Sequence, residues 1–142
     1  MIFYFDTSFL VPIIADEARS EYARKWWRNS NGDSIISDLA CLEFSAVVSR
    51  WVRMGSVMEP DARGLLADFD LLRDACLTHA LGSADTNRAE ELLRDFSTKL
   101  AAPDALHLAA ALDLDAVLVT FDERLAEAAN SCGGKVVAPG AH

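Results

Sequence analysis

The sequence predicts an α/β domain built on a mainly parallel β-sheet. Two observations carry this reading: short runs of β-branched and aromatic residues alternate with longer helical patterns, and 142 residues suit one domain with one core. A single domain over residues 1–142 is therefore expected. Ile2–Phe5 reads as the first strand, followed by helical segments near 8–15 and 17–29. The turn-like Asn31-Gly32-Asp33 leads into a second strand at 34–37 and a helix over about 39–54. Residues 59–100 read as mostly helical and rich in charge, with Gly82-Ser83 breaking two antiparallel helices, which suggests an inserted helical arm. Pro103 starts a helix to about 113, a strand follows at 117–120, a helix at 123–131 and a last strand at 135–138.

A composition of 51% hydrophobic and 25% charged residues is that of a soluble globule, and no apolar run approaches the roughly 18 residues of a membrane span. The apolar opening lacks a basic leader and is interrupted by Asp6, so it reads as part of the fold rather than as a signal peptide. Cys41, Cys76 and Cys132 are odd in number and show no zinc or disulfide spacing, which fits a reducing cytoplasm. A net charge of -9 ordinarily argues against a nucleic-acid partner. The charge is uneven: residues 1–53 carry six Lys/Arg against seven Asp/Glu, and the rest carry seven against fifteen. Arg19, Arg24, Lys25 and Arg28 share a helical stretch with Trp26 and Trp27. That stretch reads either as a phosphate-contacting, base-stacking surface or as a solvated basic face whose tryptophans serve a core or dimer interface.

Four acids stand out. Asp6 follows the first strand and Asp122 the strand at 117–120; each reads equally as a helix cap or as a site residue. Asp104 lies in the first turn of its helix, where the helix dipole favours a negative charge. Glu43 falls among Leu39, Leu42, Ala46 and Val47, the expected apolar stripe of its helix, and an unpaired buried acid costs several kcal/mol. In a parallel sheet, strand ends and the helix starts that follow them share one edge, where ligands bind. Four converging carboxylates repel; two unit charges about 4 Å apart cost about 4 kcal/mol at an effective dielectric near 20. No lysine or arginine falls close in sequence to Asp6, Glu43 or Asp104, and Arg124 alone near Asp122 cannot balance four acids, so a divalent cation is the economical compensation. All-oxygen ligands select Mg2+ or Mn2+, and that points to phosphate-ester chemistry. Thr7, Ser8, Ser37 and Thr120 are candidate supporting hydroxyls. His107, three residues after Asp104 and between two leucines, reads as a core residue outside the site. Phosphate-loop, dinucleotide and serine-hydrolase motifs are absent.

With these residues in place, the chain resembles the PIN-domain nucleases and, among them, the VapC-type toxins of type II toxin–antitoxin pairs. The resemblance rests on Tyr4-Phe5-Asp6-Thr7-Ser8, Ser37-Asp38-Leu39 leading to Glu43, Pro103 to Ala109, and Leu118 to Asp122 followed by Leu125. It implies a three-layer α/β/α fold and metal binding by Asp6, Glu43, Asp104 and Asp122, supported by Thr7, Ser8 and Thr120. It also implies RNA as substrate, a homodimer and a cognate antitoxin. Ala40-Cys41 departs from the hydroxyl residue many relatives carry before the glutamate. Two rivals remain: a non-catalytic PIN-like module that binds RNA or protein, and a magnesium-binding phosphoacceptor domain of the receiver type. The second lacks its lysine-proline pair, since Lys135 precedes Val136. A phosphatase or DNA nuclease would use the same acids.

Overall fold

A computed structural model describes residues 1–139. Its elements in chain order are β1 (Ile2–Phe5), α1 (Thr7–Ile14), α2 (Ser20–Asn29), β2 (Asp33–Ser37), α3 (Asp38–Arg53), α4 (Glu59–Asp74), β3 (Leu77–His79), α5 (Ser83–Arg94), a 3-10 turn (Phe96–Thr98), α6 (Ala102–Asp113), β4 (Val117–Val119), α7 (Glu123–Ser131) and β5 (Lys135–Val137). The five strands form one sheet in the order β3-β2-β1-β4-β5, and every pairing is parallel.

Strand alternation sorts the core into two layers. Phe3, Phe5, Ile36, Val117 and Val119 face α1 to α4, whereas Tyr4, Ile35 and Leu118 face α5, α6 and α7. The result is the expected three-layer α/β/α arrangement. On the first face, Phe44 of α3 stacks on Phe69 of α4 with ring centroids 4.2 Å apart. The second face is close-packed with alanines from α6 and α7, and these let the helices approach the sheet.

The segment 59–100 differs from expectation. It is not a wholly helical arm: β3 divides it and pairs with β2 at the sheet edge. Its two helices are not an antiparallel pair, since α4 packs its Ala62 and Phe69 on one face of the sheet and α5 its Ala89 and Leu92 on the other. Gly82 does mark a boundary, as the residue that precedes α5. The other strands and helices fall within a few residues of their expected limits. The main exception is α2, which starts at Ser20 rather than 17 because the Ser20 hydroxyl takes the Glu17 N–H and donates to the Ala15 carbonyl, closing a turn there.

Two further findings concern side chains. Of the two readings for Trp26 and Trp27, the packing favours the core one: Trp26 meets the rings of Phe3, Phe5 and Phe9 edge-on, and Trp27 lies 4.7 Å from Phe5. Both are partly buried and pack against the core. The buried stripe of α3 is Ala40, Cys41, Phe44 and Val48, and Leu42 is 68% exposed, so the stripe is rotated by about one residue from the one expected. Glu43 is therefore half-buried beside the stripe rather than within it. No helix among the described residues is long and apolar enough to cross a membrane.

Candidate active site

The strand order places a switch point between β1 and β4. After β1 the chain moves to one side through β2 and β3; it then returns to build β4 and β5 on the other. The helices that follow β1 and β4 consequently leave toward opposite faces, which opens a crevice at the carboxyl ends of the two strands. Asp6 follows β1 and Asp122 follows β4 by three residues. Glu43 lies in the second turn of α3, just after β2. Asp104 lies in the first turn of α6, whose start stands at the same edge because the helix runs back to feed β4. Four separate elements thus deliver the four acids to one edge.

Asp6 is 3% exposed and is both a cap and part of this cluster. Its Oδ1 accepts from the Ser8 hydroxyl at 2.8 Å and the Phe9 N–H at 3.3 Å, and its Oδ2 accepts from the Thr120 hydroxyl at 2.8 Å. Burial pushes its pKa up to about 6, against opposing contributions from His107, Thr120, Ser8 and the Phe9 N–H. Thr120 also accepts the Asp122 N–H at 3.0 Å, and Ser8 accepts the Phe121 N–H at 3.0 Å. Asp122 caps α7 with Oδ1, which accepts from Arg124 N–H and Leu125 N–H. The capping reading and the clustering reading are therefore both realised at Asp6 and Asp122.

Glu43 uses Oε1 alone. That oxygen accepts from the Thr7 hydroxyl at 2.8 Å and lies 2.5 Å from His107 Nε2. Burial would raise the Glu43 pKa, but the hydrogen bond and charge of His107, together with Thr7, hold it below the usual value. Asp104 makes no hydrogen bond among the described residues; burial and then the Asp122 charge raise its pKa, with Glu43 adding to the rise. Asp104 and Asp122 line a cavity of about 520 Å³ with Arg19, Phe121, Glu123, Arg124 and Glu127. Arg19, flagged in the sequence within a basic helix, reaches the site with its guanidinium 4.9 Å from the centre of the Phe121 ring. Ser37, the remaining hydroxyl candidate, instead caps α3 by accepting the Ala40 N–H.

His107 is a residue that sequence reasoning left out. It is buried, as expected of a core position, but its two ring nitrogens meet the Tyr4 hydroxyl at 2.7 Å and Glu43 at 2.5 Å. The signal was its spacing: three residues from Asp104, it falls on the same face of α6.

The donor chemistry suits a hard cation. All four groups are carboxylates, and none forms an ion pair with lysine or arginine among the described residues. Glu43 Oε2, Asp122 Oδ2 and both oxygens of Asp104 have no protein donor there. No three His, Cys, Asp or Glu side chains among the described residues form a ready-made chelate, so the acids share an edge without closing into a cage. That openness suits a cation that retains waters and is completed by substrate phosphate, as Mg2+ does.

Comparisons with known proteins agree with this architecture. Solved structures that match include a DNA-bound VapBC from Salmonella typhimurium, with 15% identity, TM-score 0.74 and coverage of 96% of this chain and 97% of that one. VapC20 of Mycobacterium tuberculosis, described as a toxin that cleaves the sarcin–ricin loop, matches with 19% identity, TM-score 0.73 and coverage of 96% and 97%. A toxin–antitoxin complex from Klebsiella pneumoniae matches with 17% identity, TM-score 0.65 and coverage of 84% and 85%. At these identities the likeness is one of fold. No curated protein sequence matches. The family model described as "PIN domain" matches residues 3–131, nearly the whole described chain, and the protein belongs to the PIN domain family.

Proposed function

We propose that the protein is a divalent-metal-dependent endoribonuclease that acts as the toxin of a toxin–antitoxin pair, with Asp6, Glu43, Asp104 and Asp122 as its metal-binding and catalytic acids. The observation that carries this reading is that four acids from four elements stand along one edge at the switch point, three of them with oxygens that no protein donor holds and none with a lysine or arginine ion pair among the described residues. Mg2+ or Mn2+ bound there would supply polarisation of a phosphoryl oxygen and a more acidic water. The protein's own groups orient the reaction: Ser8 and Thr120 hold Asp6, Thr7 holds Glu43, and the α7 cap fixes Asp122. Arg19 and Arg124, on the wall of the same cavity, are suited to contact substrate phosphates.

RNA as substrate follows from the family resemblance and is supported by the Mycobacterium neighbour described as cleaving the sarcin–ricin loop. A cognate antitoxin is supported by the Klebsiella neighbour, described as a toxin–antitoxin complex. A homodimer, a single domain and a cytoplasmic site of action complete the reading. A non-catalytic binding module does not need to retain all four acids, and they are all present. Induced expression of the wild type and of Asp6→Asn, without a partner protein, tests the proposal. Growth arrest with RNA fragments, lost in the variant, is the expected result; arrest that persists in Asp6→Asn would sink it.

A further inference from the structure

His107 joins the two helical layers at the sheet edge. It stands on α6, packed on one face of the sheet, and its partner Glu43 stands on α3, packed on the other. Behind it, the fully buried Tyr4 hydroxyl lies 2.7 Å from Nδ1. Nε2 faces a carboxylate oxygen, which can only accept, so it carries a proton and donates to Glu43 in either charge state of the ring, and the Tyr4 hydroxyl, able to donate or accept, pairs with Nδ1 in both. The Thr7 hydroxyl donates to the same carboxylate oxygen. Oε1 is thus held by two donors from two elements, and Oε2 by none among the described residues.

A histidine buried to 1% exposure could have met its hydrogen-bonding needs with backbone groups. Here both nitrogens are spent on one line that runs from β1 through α6 to an acid of the site. We propose that His107, backed by Tyr4, is a positioning residue for the cation site: with Thr7 it clamps Oε1 of Glu43 and leaves Oε2 as the oxygen available to a divalent cation or its water. This inference rests on the metal-site reading above. It also accounts for the half-buried setting of Glu43, because an acid at the edge of the core is restrained on its inner side and open on its outer one. Groups that orient a ligating side chain commonly set metal affinity by 10- to 100-fold.

Calorimetry of Mn2+ binding to the purified chain tests this without turnover. Weakened binding in Asp104→Asn and Glu43→Gln establishes the cation site itself. His107→Leu is expected to bind Mn2+ about 10- to 100-fold more weakly. His107→Gln, whose amide can replace the Nε2 donor, should recover most of that affinity, and Tyr4→Phe should lose a smaller part. In cleavage assays kcat should fall with KM for RNA unchanged. A histidine serving only the core would lower the melting temperature in His107→Leu and leave Mn2+ affinity as in wild type, and that result overturns the proposal. So does a glutamine variant no better than the leucine one. If His107→Leu does not fold, Thr7→Val and Tyr4→Phe decide in its place: weakened Mn2+ binding in both supports the clamp, and wild-type affinity in both overturns it. A wild type that binds no Mn2+ overturns the metal reading and this inference together, whereas binding that needs the acids but ignores His107, Thr7 and Tyr4 overturns the clamp alone.

Discussion

The Thr120 hydroxyl donates to Asp6 Oδ2 at 2.8 Å and accepts the Asp122 N–H at 3.0 Å, so one side chain at the end of β4 ties together the acids that follow the two strands at the switch point. The bond holds Asp6 in a place where its charge is costly, and the first prediction comes from that cost.

Burial raises the folded-state pKa of Asp6 to about 6, against an ordinary value of 3.8. The folded chain therefore binds this proton more tightly than the unfolded chain. The associated stability is fully present below pH 3.8 and is lost as pH rises through about 6. The shift corresponds to about 3 kcal/mol. In metal-free protein at pH 8, Asp6→Asn should raise stability by roughly 1 to 3 kcal/mol, and the advantage should vanish near pH 4. Urea melts at the two pH values check this; an asparagine variant less stable than wild type at pH 8 would contradict it.

Asp122 has two roles that different substitutions separate. Asparagine keeps an oxygen for the Arg124 and Leu125 N–H groups but removes the charge, whereas alanine removes both. Asp122→Ala should cost about 1 kcal/mol of stability, the usual loss for a helix cap, and Asp122→Asn only a few tenths. Both should lose nuclease activity by a factor of about 100 or more, as expected for loss of several kcal/mol of transition-state stabilisation. Denaturation midpoints and cleavage rates together read the two effects.

Removing Glu43 leaves the His107 Nε2–H without its carboxylate. Glu43→Ala should therefore destabilise the fold by about 1 to 3 kcal/mol, the range for a buried donor left unpaired. Glu43→Gln, which can still offer an amide oxygen, should cost less. Thermal melts of the two variants measure the difference.

Trp26 packs on three phenylalanines, so Trp26→Ala should cost about 3 kcal/mol through lost packing. Under conditions where the variant stays folded, its RNA affinity should match wild type. A weaker affinity with unchanged stability would favour the base-stacking reading of this ring instead.

The strands β1 and β4 are legible in the sequence because they are buried and read as short apolar runs, and β2, with only Ile35 and Ile36 apolar, is marked by the Asn31-Gly32-Asp33 turn that leads into it. β3 is not: Leu77-Thr78-His79 is three residues long, mostly exposed at the sheet edge and set between charged helices, so neither length nor alternation marks it. The α3 stripe was misread because both candidate stripes are apolar, and Leu42 is left exposed by packing that spacing alone does not reveal. The four acids could be placed on one edge from the alternation of strands and helices. The His107–Glu43 contact spans 64 positions between opposite layers, and only the folded chain displays it.

The central claim is that these acids form a metal-dependent site that cuts RNA. The most direct test incubates purified wild type and Asp104→Asn with labelled single-stranded RNA and DNA, in Mg2+ or Mn2+ and then in excess EDTA. The account predicts RNA cleavage by wild type, abolished by EDTA and reduced about 100-fold or more in Asp104→Asn. Cleavage that survives EDTA, or an Asp104→Asn variant as active as wild type, would contradict it.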